Sequence, residues 1–247
     1  MDLLCGGITL NKKTKLFAVI IGVLFPIIIL ISAIEMAALD KAFFMDQVEK
    51  NNVVKNAGIY EPDMESVVND ILGYLRGERA DFDIQARITV NGVASETAVS
   101  IFNEQEIIHM KDVLSLLNLA LFIRNLALVL FLIAFVCLLK WNRWAIIKGL
   151  FWGSTLSLGI ILIIGGFFYL NFDGAFTLFH QLVFSNDLWL MNPKTDRLIW
   201  IVPGPFFFNL IIRMVLYAIL PLALTGIGTG MLFKKKEIKN RGNNENT

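Results

Sequence analysis

Four long apolar stretches dominate this sequence and limit what it can fold into. Residues 16–34 and 149–172 carry no charge, and residues 113–139 and 198–233 are each interrupted by a single arginine. Each stretch is long enough to cross a bilayer, whose hydrocarbon core needs about 20 apolar residues in a helix. Lipid offers the backbone no hydrogen bonds, so these segments must be helical. The sequence therefore predicts four transmembrane helices.

The composition agrees with a membrane protein and argues against two other classes. Hydrophobic residues make up 56% of the chain, and the mean hydropathy is +0.64. A freely soluble globular protein does not reach this level. The formal net charge is only +1, so a basic surface for nucleic acid has little support, and no nucleic-acid partner is expected.

Basic residues near the span ends predict the orientation, because their excess marks the cytoplasmic side. One face collects three basic clusters. They are Lys12, Lys13 and Lys15; Lys140, Arg143 and Lys148; and Lys234, Lys235, Lys236, Lys239 and Arg241. The opposite face carries residues 35–112 and 173–201, where nine Lys or Arg face eighteen Asp or Glu. Both termini are therefore expected in the cytoplasm, and the first apolar run, which lacks a cleavage site, is expected to stay as an anchor.

The predicted fold class is membrane α-helical, with four transmembrane helices and a small α+β extracytoplasmic cap. Its segments follow in order: cytoplasmic N-terminus 1–15, helix 16–34, cap 35–112, helix 113–139, cytoplasmic loop 140–148, helix 149–172, outer loop 173–201, helix 202–233 and cytoplasmic tail 234–247. Cys5 and Cys137 fall at different depths of this layout, so both are expected to be free thiols.

The cap segment has the pattern of a folded unit. Pro62 stands at the first turn of a predicted amphipathic helix that Gly77 ends. Residues 82–90 and 93–102 alternate polar and apolar side chains around Asn91-Gly92, which predicts a β-hairpin. Asn103 followed by Glu106 forms a capping box, and this predicts a helix that continues into the second span.

The only two histidines, His109 and His180, are both predicted at the outer membrane boundary. Imidazole takes and gives protons near neutral pH, so a pair facing one site is able to act as general base and acid. The alternative is that each histidine only makes local hydrogen bonds. His180 lies in a run of aromatic and polar residues suited to the interface between lipid and water.

A metal site at His109 is the weaker interpretation. Glu106, His109 and Asp112 share one side of a predicted helix, but a zinc site usually needs three or four protein ligands in a recognisable pattern. Glu106 or Asp112 is expected to orient His109 instead. No metal and no cofactor are expected.

Arg124 and Arg213 lie inside predicted spans, where a charge costs on the order of 3 kcal/mol. Each needs a partner or a polar cavity. One interpretation is structural, through snorkelling or pairing with Glu35. The other is functional, with the guanidinium groups anchoring oxygens of a lipid substrate beneath the cap.

Four strings of the sequence resemble motifs of the bacterial lipoprotein intramolecular transacylases. The strings are Tyr60-Glu61-Pro62-Asp63, Asp70-Ile71-Leu72-Gly73-Tyr74-Leu75, EIIHMKDV at 106–113 and FHQLVFSNDLWLMNP at 179–193. The resemblance extends over about residues 16–233, and the motifs follow in the same order. It implies an enzyme that moves the sn-2 acyl chain of an N-terminal diacylglyceryl-cysteine onto the α-amino group of that cysteine, giving a lyso-form lipoprotein.

The resemblance also implies the site and the location. His109 and His180 take the positions of two histidines implicated in catalysis, at the outer leaflet of a bacterial cytoplasmic membrane. The motif strings add Tyr60, Asn186, Asp187 and Trp189 to the supporting candidates Arg124, Arg213, Glu106 and Asp112. The expected partners are a diacylated lipoprotein and membrane lipid. Aromatic residues are expected to wall the pocket: Phe172, Phe176, Phe179, Phe184, Trp189 and Phe206 to Phe208.

Two other functions remain compatible with the residues. A membrane sensor or assembly subunit would use the cap to bind a partner without chemistry, with the histidines as pH-sensing groups. A metal-dependent membrane hydrolase would bind metal and respond to chelators. The sequence does not indicate an oligomeric state, nor which histidine is the base.

Overall fold

The computed structural model describes residues 11–90 and 92–244, with side chains up to residue 236. The helices are α1 (Lys12–Ala38), α2 (Lys41–Lys50), α3 (Val53–Ala57), α4 (Met64–Leu75), α5 (Glu104–Trp141), α6 (Arg143–Leu170), α7 (Phe172–Val183), α8 (Leu198–Ile201) and α9 (Gly204–Asn244). Four two-residue strands lie between α4 and α5: β1 (Gln85–Ala86), β2 (Thr89–Val90), β3 (Val93–Ala94) and β4 (Val99–Ser100).

Helices α1, α5, α6 and α9 are long and apolar enough to cross a membrane. They expose large apolar side chains, such as Phe122 on α5 and Leu162 and Ile163 on α6. Such surfaces suit hydrocarbon and are too apolar for water. The predicted fold class, a membrane α-helical protein with four transmembrane helices and a small α+β region, is confirmed.

The chain divides into two compact units, and the first comprises Met1–Ala33, Leu121–Ile164 and Val215–Thr247. Its described part holds two buried apolar clusters, one around Ile21 and Leu138 and the other around Ile161 and Leu222. Glycine allows α1 and α6 to approach closely, because a Cβ on Gly149 would collide with the carbonyl oxygen of Ala18.

The second unit comprises Ile34–Ala120 and Gly165–Met214 and contains both histidines. Its α2 begins where the Asp40 carboxylate accepts hydrogen bonds from the backbone of Ala42 and Phe43. The ring of Phe82 stacks between Tyr74 and Phe102, at centroid distances of 5.0 and 4.7 Å. These rings form part of a core that anchors the strand region to α4.

The helix and hairpin predicted in the cap are confirmed. A 3₁₀ turn (Glu61–Asp63) that includes Pro62 leads into α4, and Gly77 follows the helix with a positive φ of 75°. Strands β2 and β3 pair around Gly92, whose φ of 80° suits the turn, and β1 pairs with β4.

An ion pair between Asp63 and Arg87 helps to hold the cap together. The Arg87 guanidinium donates to both carboxylate oxygens of Asp63, at 3.0 and 2.5 Å, and lies over the Tyr60 ring at 4.3 Å. The side-chain and backbone hydrogen bonds from Arg87 lower the pKa of Asp63 to about 2. Tyr60, a supporting candidate from its motif, thus contributes to the packing of the cap.

Several features differ from the expectation or extend it. Helices α2 and α3 fill the start of the cap, and α7 with α8 occupies much of the predicted outer loop 173–201. Helix α1 continues through Ala38, beyond the predicted span. Cys137 is a half-buried free thiol, as expected, whereas Cys5 lies outside the described residues.

Candidate active site

The start of α5 positions His109 through its capping box. The backbone N–H of Asn103 donates to Oε2 of Glu106 at 2.8 Å, and the N–H of Glu106 donates to Oδ1 of Asn103 at 3.0 Å. These reciprocal bonds satisfy two backbone donors that a helix start leaves open. The helix is therefore well formed where it carries His109, whose side chain is only 7% exposed.

Helix α7 positions His180. The carboxamide oxygen of Asn171 accepts from the N–H of Gly174 and caps the helix. Phe172, Phe176 and His180 then follow at a spacing of four residues, so their side chains share one face. His180 is also 7% exposed.

A hydrogen bond fixes the tautomer of His180. Its Nδ1 lies 2.7 Å from the carbonyl oxygen of Phe176, which can only accept. Nδ1 therefore carries the proton, and in the neutral ring Nε2 holds a free lone pair. This is the form of imidazole that takes up a proton.

The two imidazoles come together inside a wall of aromatic rings. Their centroids are 6.3 Å apart and their planes are inclined by 28°. The ring of Phe184 contacts both, at 5.2 Å from His109 and 5.6 Å from His180. Phe176 and Trp189 contact His180 at 4.1 and 5.0 Å. The pair is thus held in an apolar environment from which water is largely excluded.

Burial favours the neutral form of both rings. It lowers the pKa of His180 below its ordinary value of 6.5, and the hydrogen bond with Phe176 offsets this only in part. Nδ1 of His109 is buried, and no atom of the described residues forms a hydrogen bond with it. A buried polar atom without a partner is costly and calls for a ligand or water at that position.

The segment after α7 is fastened to the first turns of α5. Asn186 donates to the Asp112 carboxylate at 2.9 Å and accepts from the N–H of Leu188 at 3.1 Å. The Gln105 carboxamide donates to the carbonyl oxygens of Leu188 and Leu190, both at 3.1 Å. These bonds hold the segment that carries Trp189 beside the histidines.

Glu106 is one of the two residues expected to orient His109, and its own carboxylate is engaged elsewhere. The side chain of Glu106 is fully buried, and its Oε1 accepts from the N–H of Leu198 at 2.6 Å. Its other oxygen caps α5. Both oxygens are occupied by backbone donors, so Glu106 joins α5 to α8 and positions His109 only through the helix.

Asp112, the other residue expected to orient His109, accepts from Asn186 with one carboxylate oxygen, and its role toward His109 stays a prediction. Asp187, a further motif candidate, closes a turn by accepting from the N–H of Leu190 at 3.0 Å with its backbone carbonyl. The structure thus gives both residues a part in holding the segment after α7.

Asp196 was missed by the sequence reasoning. It is 3% exposed and accepts from Asn103 at 2.9 Å, from Thr195 at 2.6 Å and from the N–H of Asn192 at 2.6 Å. Burial alone would raise the pKa of Asp196, but these hydrogen bonds outweigh it and leave the pKa below its usual value. No local pattern marks Asp196, because its partner Asn103 lies far away in the sequence.

The two arginines belong to different units. Arg213 belongs to the unit of the histidines, where its guanidinium pairs with Asp40 and lies 5.0 Å from the Phe43 ring centroid. Arg124 belongs to the first unit and donates to the Asn125 side chain at 3.2 and 3.1 Å. The pairing of Arg213 with a carboxylate favours the structural interpretation for that residue.

The expected aromatic wall is only partly present around the imidazoles. Phe179 contacts His180 at 5.4 Å, in addition to Phe176, Phe184 and Trp189. Phe206 packs instead against Phe44. Within residues 11–90 and 92–244, no three His, Cys, Asp or Glu side chains converge in a way that could hold a metal ion.

Known proteins resemble most of the chain. The model of the family described as lipoprotein intramolecular transacylase Lit matches residues 19–207, more than half of the sequence. A solved structure of the membrane integral lipoprotein intramolecular transacylase Lit from Bacillus cereus is 21% identical, covers 93% of this chain and 100% of its own, and has a TM-score of 0.74.

Two further structures of the Bacillus cereus protein, with one histidine replaced by alanine or by arginine, are each 20% identical. They cover 92% and 93% of this chain and 97% and 96% of their own, with TM-scores of 0.70 and 0.69. At these identities the likeness shows the fold. No curated protein matches the chain.

Proposed function

The chain belongs to the lipoprotein intramolecular transacylase family, and from that membership we propose that it converts diacylated lipoproteins to the lyso form. The substrate is an N-terminal diacylglyceryl-cysteine, and the acyl chain at its sn-2 position moves to the α-amino group of the same cysteine. The single observation that carries this proposal is the buried imidazole pair, 6.3 Å apart, within an aromatic wall.

The reaction balances within one molecule. The amine nitrogen attacks the sn-2 ester carbonyl, a C–N bond forms and the C–O bond to glycerol breaks. The electron pair of that bond leaves with the glycerol oxygen, and the proton lost from nitrogen ends on it. Because amine and ester belong to one substrate, a site that folds the substrate correctly supplies much of the rate enhancement.

His180 is the proposed base. Its Nδ1 donates to Phe176, so the lone pair on Nε2 is available for the amine proton. Its lowered pKa keeps it neutral at physiological pH. After the tetrahedral intermediate collapses, the same nitrogen is placed to return the proton to the leaving glycerol oxygen.

His109 is the proposed hydrogen-bond donor to the oxyanion. A neutral imidazole offers one N–H, and Nδ1 of His109 has no hydrogen-bond partner among the described residues. A donor aimed at the developing negative charge is worth most in a site that excludes water. The rings of Phe184 and Trp189 provide such a site and also protect the ester from hydrolysis.

The basic residues support a location for this chemistry. Their distribution supports cytoplasmic termini, a cap on the outside and a histidine pair at the outer leaflet of a bacterial cytoplasmic membrane. The proposed segment boundaries remain those inferred from the sequence, with transmembrane helices at 16–34, 113–139, 149–172 and 202–233. The lipoprotein substrate and the surrounding lipid are the proposed partners.

The test is product analysis with purified protein and a synthetic diacylglyceryl lipopeptide. A transacylase yields a product of unchanged mass whose fragmentation shows an N-acyl group and a free glyceryl hydroxyl. A sensor or assembly subunit leaves the lipopeptide unchanged, and a hydrolase releases free fatty acid. Either of these two results contradicts the proposal, as does loss of turnover on chelation.

A further inference from the structure

An apolar groove of about 330 Å³ lies at the start of α7 and the start of α9. It is lined by Phe172, Asp173, Gly204, Pro205 and Phe208. Asp173 is the one polar side chain in this lining. Both helices and the histidines belong to the second unit.

A row of rings connects this groove to the proposed active site. Phe172, Phe176 and His180 share one face of α7, with centroid distances of 5.5 Å between the first two and 4.1 Å between the last two. Phe208 meets the edge of Phe172 at 5.8 Å. At a rise of 1.5 Å per residue, Phe172 lies about 12 Å along the helix from His180.

The surface beside the groove is apolar and exposed. Leu170 precedes α7 and is 84% exposed, and Tyr169, whose ring centroid is 6.0 Å from that of Phe208, is 69% exposed. Exposed side chains of this kind belong in lipid and not in water. The groove is therefore accessible from hydrocarbon, which favours an acyl chain over a peptide or a water-soluble ligand as its occupant.

We propose that this groove receives the migrating sn-2 acyl chain while its ester carbonyl lies at the histidines. This inference rests on the proposed function. The migrating chain is bonded directly to the reacting carbonyl, so it must lead away from His180, and the row of rings gives it an apolar path. Lipid and the groove are similarly apolar, so moving the acyl chain from one to the other gains little hydrophobic free energy. The groove therefore selects among acyl chains mainly by their shape and length.

Gly204 offers a way to fill the groove without disturbing the histidines. A Cβ at this position would lie 3.7 Å from the Phe172 ring, which is ordinary contact, and the backbone there does not need a positive φ. The Gly204→Val substitution therefore places two methyl groups in the groove. Gly228 is the matched control in the same helix, because its Cβ would meet no atom within 4 Å.

The experiment compares two lipopeptides that differ only in the sn-2 chain, hexadecanoyl or butanoyl. Gly204→Val slows turnover of the hexadecanoyl substrate roughly tenfold, and the butanoyl substrate, which does not reach the groove, keeps its rate. Gly228→Val leaves both rates unchanged. Phe208→Ala removes one wall and reduces the difference between the two chain lengths.

Two results would overturn the groove assignment. They are an equal loss on both substrates and no loss on either. A folded wild-type protein that converts neither lipopeptide would contradict the proposed function itself, and this outcome is distinct from the other two.

Discussion

His180 combines a fixed tautomer with a lowered pKa, and together these set how the activity depends on pH. The substrate amine also titrates, with a pKa near 8. The ratio of wild-type rate to His180→Ala rate removes that contribution, because both proteins act on the same amine. What remains reports the protonation of His180.

The ratio of the wild-type rate to the His180→Ala rate should fall only when the pH drops below 6.5. Burial lowers the pKa of His180, so the neutral base persists below the ordinary value of 6.5 and is lost as the pH falls through the shifted one. The measurement is the rate ratio across pH 5 to 8, taken where both proteins stay folded. A ratio that falls with a midpoint at or above 6.5 contradicts this role.

Arg213 is expected to stabilise the protein through Asp40. Both side chains are less than a third exposed, and Asp40 also caps α2. Arg213→Leu should therefore lower the thermal unfolding midpoint, by an amount corresponding to about 1 kcal/mol. Lys41→Leu, which breaks the more exposed pair with Glu65, is the control and should change it little.

A double-mutant cycle with Asp40→Asn separates this role from substrate anchoring. Coupling between the two substitutions in unfolding, with turnover retained in Arg213→Leu, agrees with a structural pair. Normal stability with abolished turnover would restore the substrate-anchoring interpretation that the sequence left open.

At the scale of elements, the start of α5 links the cap, the histidine and the segment after α7. Asn103 caps the helix and also donates to Asp196. Asn103→Ala should cost about 1 kcal/mol for the cap alone, and it leaves buried Asp196 without one donor. We expect a lower unfolding midpoint together with a reduced kcat, because His109 lies on this helix.

Asn11→Ala is the matched control for Asn103→Ala. Asn11 accepts from the N–H of Thr14 at 2.8 Å and caps α1 in the same way, but it belongs to the other unit. It should lower stability without lowering kcat. Equal kcat values in the two variants would show that the α5 cap does not position His109.

The sequence reveals these elements to different degrees. The spans and the capping box depend on local hydropathy and spacing, so they could be predicted. Helix α7 was not, although Phe172, Phe176 and His180 stand four residues apart, because the topology made residues 173–201 a connecting loop. The bonds of Glu106 to Leu198 and of Asn103 to Asp196 join residues 92 and 93 positions apart, and no local pattern specifies them.

For the candidate site, the sequence indicated the proposed reacting groups more readily than their environment. With only His109 and His180 present, the pair followed from topology and motif. Which histidine has its tautomer fixed depends on the Phe176 carbonyl, and this requires the helical geometry of α7. Arg213 was predicted to need a partner because a charge inside a membrane span is costly. In the structure, the Asp40 carboxylate is such a partner.

At the scale of the whole molecule, the proposed orientation in the membrane depends on the distribution of basic residues. A cysteine placed at the exposed Glu96, in a background without Cys5 and Cys137, should react with an impermeant thiol reagent in intact cells. Glu96 is preferable to Gly92, whose positive φ disfavours other residues. A cysteine at Asn142 should react only after lysis, and the reverse pattern would invert the topology.

The central claim is that His109 and His180 act as one catalytic unit, and their alanine variants test it most directly. Turnover of a defined diacylglyceryl lipopeptide should be measured for folded wild type, His109→Ala, His180→Ala and the double variant. Groups that act together are non-additive when removed, so all three variants should fall to a similar residual rate, about 10²- to 10⁴-fold below wild type. Mild and additive losses, or full activity in either single variant, would contradict the account.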